Sequence, residues 1–198
     1  ITPNSGGTWS SSDPSVATIT NGGVVDGISA GTTEMTFTDG TTGCSNAAGT
    51  ATITVNTPPT LSIVGTDISC NGAGDGEATV TPNGNGPFNY NWSPSGGNGA
   101  TASGLDSGTY TVVVTDDNGC QSNETVTIDE PVELTLTTSS TQSQCTVDDG
   151  TATVNASGGT GTYTYLWTPS GQTTATATGI GAGSYDVVVT DDNNCTAN

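Results

Sequence analysis

Five cysteines and two Asp-Asp-Asn triplets are the residues of this chain whose types and spacing most invite chemistry. The triplets stand in nearly identical text, VVVTDDNGC at 112–120 and VVVTDDNNC at 187–195, each Asp-Asp followed by an Asn and then a Cys. Two unit charges about 4 Å apart repel by roughly 1 kcal/mol in water and by more beside a protein. Such a pair must therefore be solvated, splayed or bridged by a cation. Calcium takes several oxygens at flexible spacing, and Asp116, Asp117 and Asn118, with Asp191, Asp192 and Asn193, offer carboxylates, amides and backbone carbonyls in short loops. Asp75, Glu77, Asp129, Glu130, Asp148 and Asp149 could supplement them. The competing reading is ordinary turn chemistry, which Asp-Asn-Gly supplies without any ion. Neither the EF-hand spacing nor the Gly-rich calcium repeat of β-rolls is present.

Composition removes whole classes of function. The chain has 198 residues, 19 of them acidic, no Lys, Arg or His, and a formal charge of -19. Nucleic acid is excluded as a partner, because neutralising phosphates takes a Lys or Arg footprint. Anionic membrane surfaces repel it, and no apolar run reaches membrane length. A His base, a Schiff-base Lys, an Arg clamp and a His-oriented nucleophile cannot be assembled, nor can a Lys-Asn cross-link. Two carboxylates could in principle cleave a glycoside, but only 5% of the chain is aromatic, too little for a sugar cleft. The chain reads as a non-enzyme.

The elements that must position these residues are strands. TATITV (50–55), TYTVVVT (109–115) and ETVTI (124–128) alternate Thr with branched or aromatic residues, and Gly, Asn, Asp and Pro clusters interrupt them. No window carries a helical period. In 110–116, Tyr110, Val112, Val114 and Asp116 share one face and Thr111, Val113 and Thr115 the other. Tyr185, Val187 and Val189 repeat the inward set. The pattern predicts an all-β chain of tandem Ig-like sandwiches arranged as an elongated rod.

Repetition sets the domain count. Cys70 to Trp92 and Cys145 to Trp167 are both 22 residues, and Cys70 to Cys120 and Cys145 to Cys195 are both 50. A first segment follows the same frame, with Trp9 in the place of Trp92 and Trp167, and GISAGT (27–32) answering GLDSGT (104–109) and GIGAGS (179–184). The expected domains are 1–57, lacking a first strand, then 58–131, then 132–198, lacking a last strand. Cys44 matches Cys120 and Cys195, and its expected mate lies upstream of residue 1; a free reactive thiol is the competing reading. The incomplete ends imply either an excerpt of a longer tandem array or subunits completed by a neighbour's strand. The Pro-bearing joints NTPPT (56–60) and DEPV (129–132) read as stiff. Trp9, Trp92 and Trp167, with Tyr110 and Tyr185, are expected in the core.

These residues carry a resemblance. CNGAGDGEATV, then YNWSPSGG or YLWTPSG, then GLDSGTYTVVVTDDNGC resemble the SprB repeat of giant surface adhesins of gliding Bacteroidetes, over most of 61–198. TWSSSDPSVATITNGGVVDGISAGT, within 1–57, resembles a bacterial Ig-like domain of group 2. The resemblance implies a secreted, type IX exported, filamentous protein at the cell surface; it implies nothing about what a tip domain binds, and a surface or glycan ligand elsewhere in the full protein is a separate expectation. The stretch from Leu105 to Tyr110 also resembles the tyrosine corner of Ig-like folds, although Thr33 stands where the first segment would need its Tyr.

Extracellular domains of roughly seventy residues have marginal cores and lean on covalent closure. Cys70 is accordingly expected to pair with Cys120, and Cys145 with Cys195, each loop contributing about 4 kcal/mol; buried free thiols are the alternative. The sequence reading is a structural stalk or filament segment whose partners are adjacent repeats or neighbouring subunits. Two other readings stay open: a self-polymerising subunit completed by donor strands, and a carbohydrate- or surface-binding module.

Overall fold

The computed structural model describes residues 7–40, 50–144 and 147–198. All its regular elements are strands, which is what the alternating text requires. The first segment holds β1 (Gly7–Ser11), β2 (Ala17–Ile19), β3 (Val25–Gly27), β4 (Gly31–Asp39) and β5 (Ala51–Val55). They form one sheet in the order β1-β4-β5 and a hairpin of β2 with β3.

The second segment holds β6 (Thr60–Thr66), β7 (Gly76–Asn83), β8 (Asn89–Ser93), β9 (Thr101–Leu105), β10 (Gly108–Thr115) and β11 (Gln121–Ile128). The third holds β12 (Thr135–Thr141), β13 (Gly150–Ser157), β14 (Thr164–Thr168), β15 (Thr176–Ile180), β16 (Asp186–Thr190) and β17 (Thr196–Ala197). The two topologies coincide. Sheet β6-β7-β9 answers β12-β13-β15, and β11-β10-β8 answers β17-β16-β14. By packing, the chain divides into two compact units: Ile1–Leu61 with Pro82–Asn89 and Val114–Ser122, and Ser62–Thr81 with Tyr90–Val113 and Asn123–Asn198.

The repeated glycines before each turn have a local cause. Gly76 pairs with Leu105 but Glu77 with Ser103, so Gly104 is an extra residue in β9; it sits at φ +68°. Gly179 does the same in β15, at φ +63°. A bulge of this kind needs a left-handed residue, which glycine supplies without steric cost.

Period two then fills the cores. Tyr110, Val112, Val114 and Asp116 are all buried, as their shared face predicts. In the third segment Val154, Trp167, Ala177, Ile180, Val187 and Val189 form one cluster, with Tyr165 and Tyr185 packed against it. Trp92 and Trp167 are buried, and their indole N–H groups donate to the carbonyls of Gly99 and Thr174, each at 2.9 Å. Trp9 differs. It is half-buried, 5.2 Å from the Phe37 ring, and its indole N–H has no partner among the described residues. Tyr110 and Tyr185 donate their hydroxyls to the carbonyls of Asp106 (3.0 Å) and Gly181 (3.2 Å), fixing the corner before β10 and β16. Thr33, which replaces that Tyr in the first segment, is buried and is a polar hub instead, accepting from the Asp13 amide at 2.9 Å and bonding the hydroxyls of Ser11 and Ser12.

Candidate functional site

The two Asp-Asp-Asn turns close β10 and β16 in the same way. Asp116 and Asp191 end the inward face of their strands, so their carboxylates are drawn below the surface, 3% and 5% exposed. Oδ1 of Asp116 accepts from the amides of Asn118 (2.9 Å) and Cys120 (2.8 Å). Oδ1 of Asp191 accepts from Asn193 (2.9 Å) and Cys195 (2.8 Å). A charged acceptor on two main-chain donors is a strong arrangement, and it explains why the first Asp recurs. The residue before each Cys adopts a left-handed backbone, Gly119 at φ +83° and Asn194 at φ +66°, the two residue types that tolerate it.

The second carboxylate of each pair points elsewhere. Asp117 and Asp192 are exposed, as are Asn118 and Asn193. With one carboxylate of each pair buried on the turn amides and the other in solvent, the repulsion between them is relieved. Asp192 accepts from the Thr162 hydroxyl at 2.7 Å, and that bond holds its carboxyl below the usual range. Among the described residues, no three His, Cys, Asp or Glu side chains gather closely enough to hold a metal ion.

The turns differ in what their cysteines meet. Cys195 is bonded to Cys70, with an S–S distance of 2.05 Å and Cα atoms 5.6 Å apart, across 125 residues of sequence. Cys120 is a free, half-buried thiol. The expected pairing of Cys70 with Cys120 and of Cys145 with Cys195 is thus corrected: the bridge runs from the opening of one repeat to the closing turn of the next. Cys44 and Cys145 lie outside the described residues. The physical reason for the exchange is a local clamp around Ser69. The Ser69 carbonyl accepts from the Asn193 side-chain amide at 3.0 Å, while its own amide donates to Asp75 Oδ1 at 2.9 Å and its hydroxyl to Asp75 Oδ2. Those bonds hold the Asp75 carboxyl below its usual range and seat Cys70 against the 191–195 turn.

Sequence reasoning found the cysteines and the Asp pairs but missed Ser69, Asn193 as a cross-repeat donor, and Thr160. The Thr160 amide donates to Asp191 Oδ2 at 2.8 Å. The corresponding Oδ2 of Asp116 is buried without a protein partner among the described residues. Nothing in the text around Thr160 marks that bond.

Two family models match the chain. Residues 62–97 and 137–173 match the SprB repeat, and residues 2–46 match the bacterial Ig-like domain of group 2. A comparison with curated proteins finds no match. Among solved structures, domains 4–9 of the surface layer protein SbsC align at 16% identity and a TM-score of 0.29, over 100% of this chain and 38% of that one. Repeats and Ig-like domains are structural and adhesion modules rather than enzyme families, and they point to a surface-associated, adhesin-like extracellular segment. Among the described residues, no helix is long and apolar enough to cross a membrane.

Proposed function

Because the chain carries two SprB repeats behind a bacterial Ig-like domain of group 2, we propose that it is a load-bearing stalk segment of a large secreted cell-surface adhesin, without catalytic activity. The observation that carries this reading is the bond between Cys70 and Cys195. Tension entering before Cys70 and leaving after Cys195 has a covalent short cut. Residues 71–194 lie inside the closed loop, so their strand ladders are relieved of the pull. Ladder hydrogen bonds, each worth only about 1 kcal/mol net, would otherwise unzip in turn. Extracellular surroundings preserve such a bond, and an all-acidic surface keeps neighbouring stalks apart in solution.

Stretching single molecules between handles at residues 1 and 198 tests the reading. With the bonded cysteines 125 positions apart in sequence, reduction should release about 400 Å of extra contour length, at ~3.4 Å per residue. Equal contour lengths with and without reductant would refute the load-bearing role of the bridge.

A further inference from the structure

The closing turns of the second and third segments share a backbone, but their carboxylates are served differently. Counting back from Trp92 and Trp167, Asn85 answers Thr160, Pro87 answers Thr162 and Phe88 answers Tyr163. In the third segment the Thr160 amide donates to Asp191 Oδ2 at 2.8 Å, the Thr162 hydroxyl to Asp192 at 2.7 Å and the Tyr163 hydroxyl to the Gly158 carbonyl at 2.6 Å. The second segment loses all three donors. Pro87 and Phe88 carry no hydroxyl, and Gly84, packed against Pro59, stands at φ +159° where Gly159 stands at +64°. With the loop turned this way, the Asn85 amide does not reach Asp116.

The loop has nevertheless stayed beside the turn. The Asp117 amide donates to the Asn85 carbonyl at 3.1 Å, as the Asp192 amide does to Thr160 at 3.0 Å. Asp116 Oδ1 is fixed by the same two amides as Asp191 Oδ1, so Asp116 Oδ2 faces residues 83–85 as Asp191 Oδ2 faces 159–160. It is a buried oxygen, on a residue 3% exposed, with no donor among the described residues. A buried carboxylate left in that state is costly. The chain has no Lys, Arg or His to supply a counter-charge, so a cation must come from solution. Along the same loop a cavity of about 430 Å³ is lined by oxygen-bearing residues, among them Asn56, Thr60, Asn83, Asn85 and Asn118. All of these residues belong to the first compact unit.

We propose that the second turn, and not the third, is a calcium site, with the ion held between residues 116–118 and the 83–85 loop. Asp116 Oδ2 and the Asp117 carboxylate are its charged ligands, and neutral oxygens of Asn85 and Asn118, with water, complete the shell. Calcium accepts about six to eight oxygens at flexible spacing, carbonyls, amides and water included, so a third acidic side chain is not required. Two charged ligands set a weak affinity, of the kind extracellular modules use. The site stands on the unserved carboxylates, so it holds whether or not the segment bears load.

The test titrates calcium into the chelated 198-residue protein and follows backbone amides by NMR, in salt at about 0.15 M to screen diffuse attraction to the acidic surface. The expected result is one saturable set of shifts at Asn85, Asp117 and Asn118, with a Kd of about 0.1–1 mM, and no comparable shift at Thr160, Asp192 and Asn193. Asp117→Asn, at an exposed position, should weaken binding at least about tenfold, and Asp192→Asn should leave it unchanged. The proposal is overturned by no saturable shift up to about 10 mM calcium, by equal responses of the two turns, by undiminished binding in Asp117→Asn, or by magnesium binding as tightly as calcium.

Discussion

The turns at 116–120 and 191–195 share a backbone, a buried first Asp and two turn amides donating to its Oδ1, yet one ends in a disulfide and the other in a free thiol. The difference lies outside the turns. Asn193 reaches the Ser69 carbonyl and places Cys195 beside Cys70. The turn is thus a structural device complete in itself, and the covalent link is a property of what each turn meets. A sequence written twice need not perform the same task twice.

Breaking the two cysteines separately should give the largest contrast. In the chain-entropy model a 125-residue loop is worth about 4–5 kcal/mol, so Cys70→Ser or Cys195→Ser should lower stability by that order in urea denaturation. Cys120→Ser, which removes a half-buried free thiol, should change it by less than about 1 kcal/mol. Similar losses for all three would contradict the assignment.

The two buried carboxylates sharpen the comparison further. Asp191→Asn puts an N–H donor against the Thr160 amide that now donates to Oδ2, and should cost about 1–3 kcal/mol. Asp116→Asn keeps Oδ1 for the two turn amides and alters an oxygen that has no protein partner among the described residues, so its cost should be less than half as large. Equal costs in the same denaturation experiment would mean that Thr160 contributes nothing to the turn.

Much of this was legible in the text. Alternation in TYTVVVTD put Asp116 on the inward face with Tyr110, Val112 and Val114, and it is buried there. The matching intervals between cysteine and tryptophan foretold two copies of one topology, and the family models agree on both repeats and on the leading Ig-like domain. The bridge was not legible. Cys120 and Cys195 have almost the same neighbours in sequence, and pairing is decided by which sulfur lies about 5.6 Å, Cα to Cα, from Cys70. That proximity depends on Ser69, Asp75 and Asn193, ordinary polar residues whose partners are 6 and 124 residues away. Reasoning repeat by repeat favours closure within each repeat because it has no term for contact between them.

The central claim is the connectivity, and non-reducing peptide mapping reads it directly. With no Lys or Arg to cut, the 19 acidic residues provide the cleavage sites, and mass spectrometry after cleavage at Asp and Glu should recover one cross-linked peptide joining Cys70 to Cys195, with Cys120 alkylated. Recovery of Cys70 linked to Cys120 instead would contradict the account.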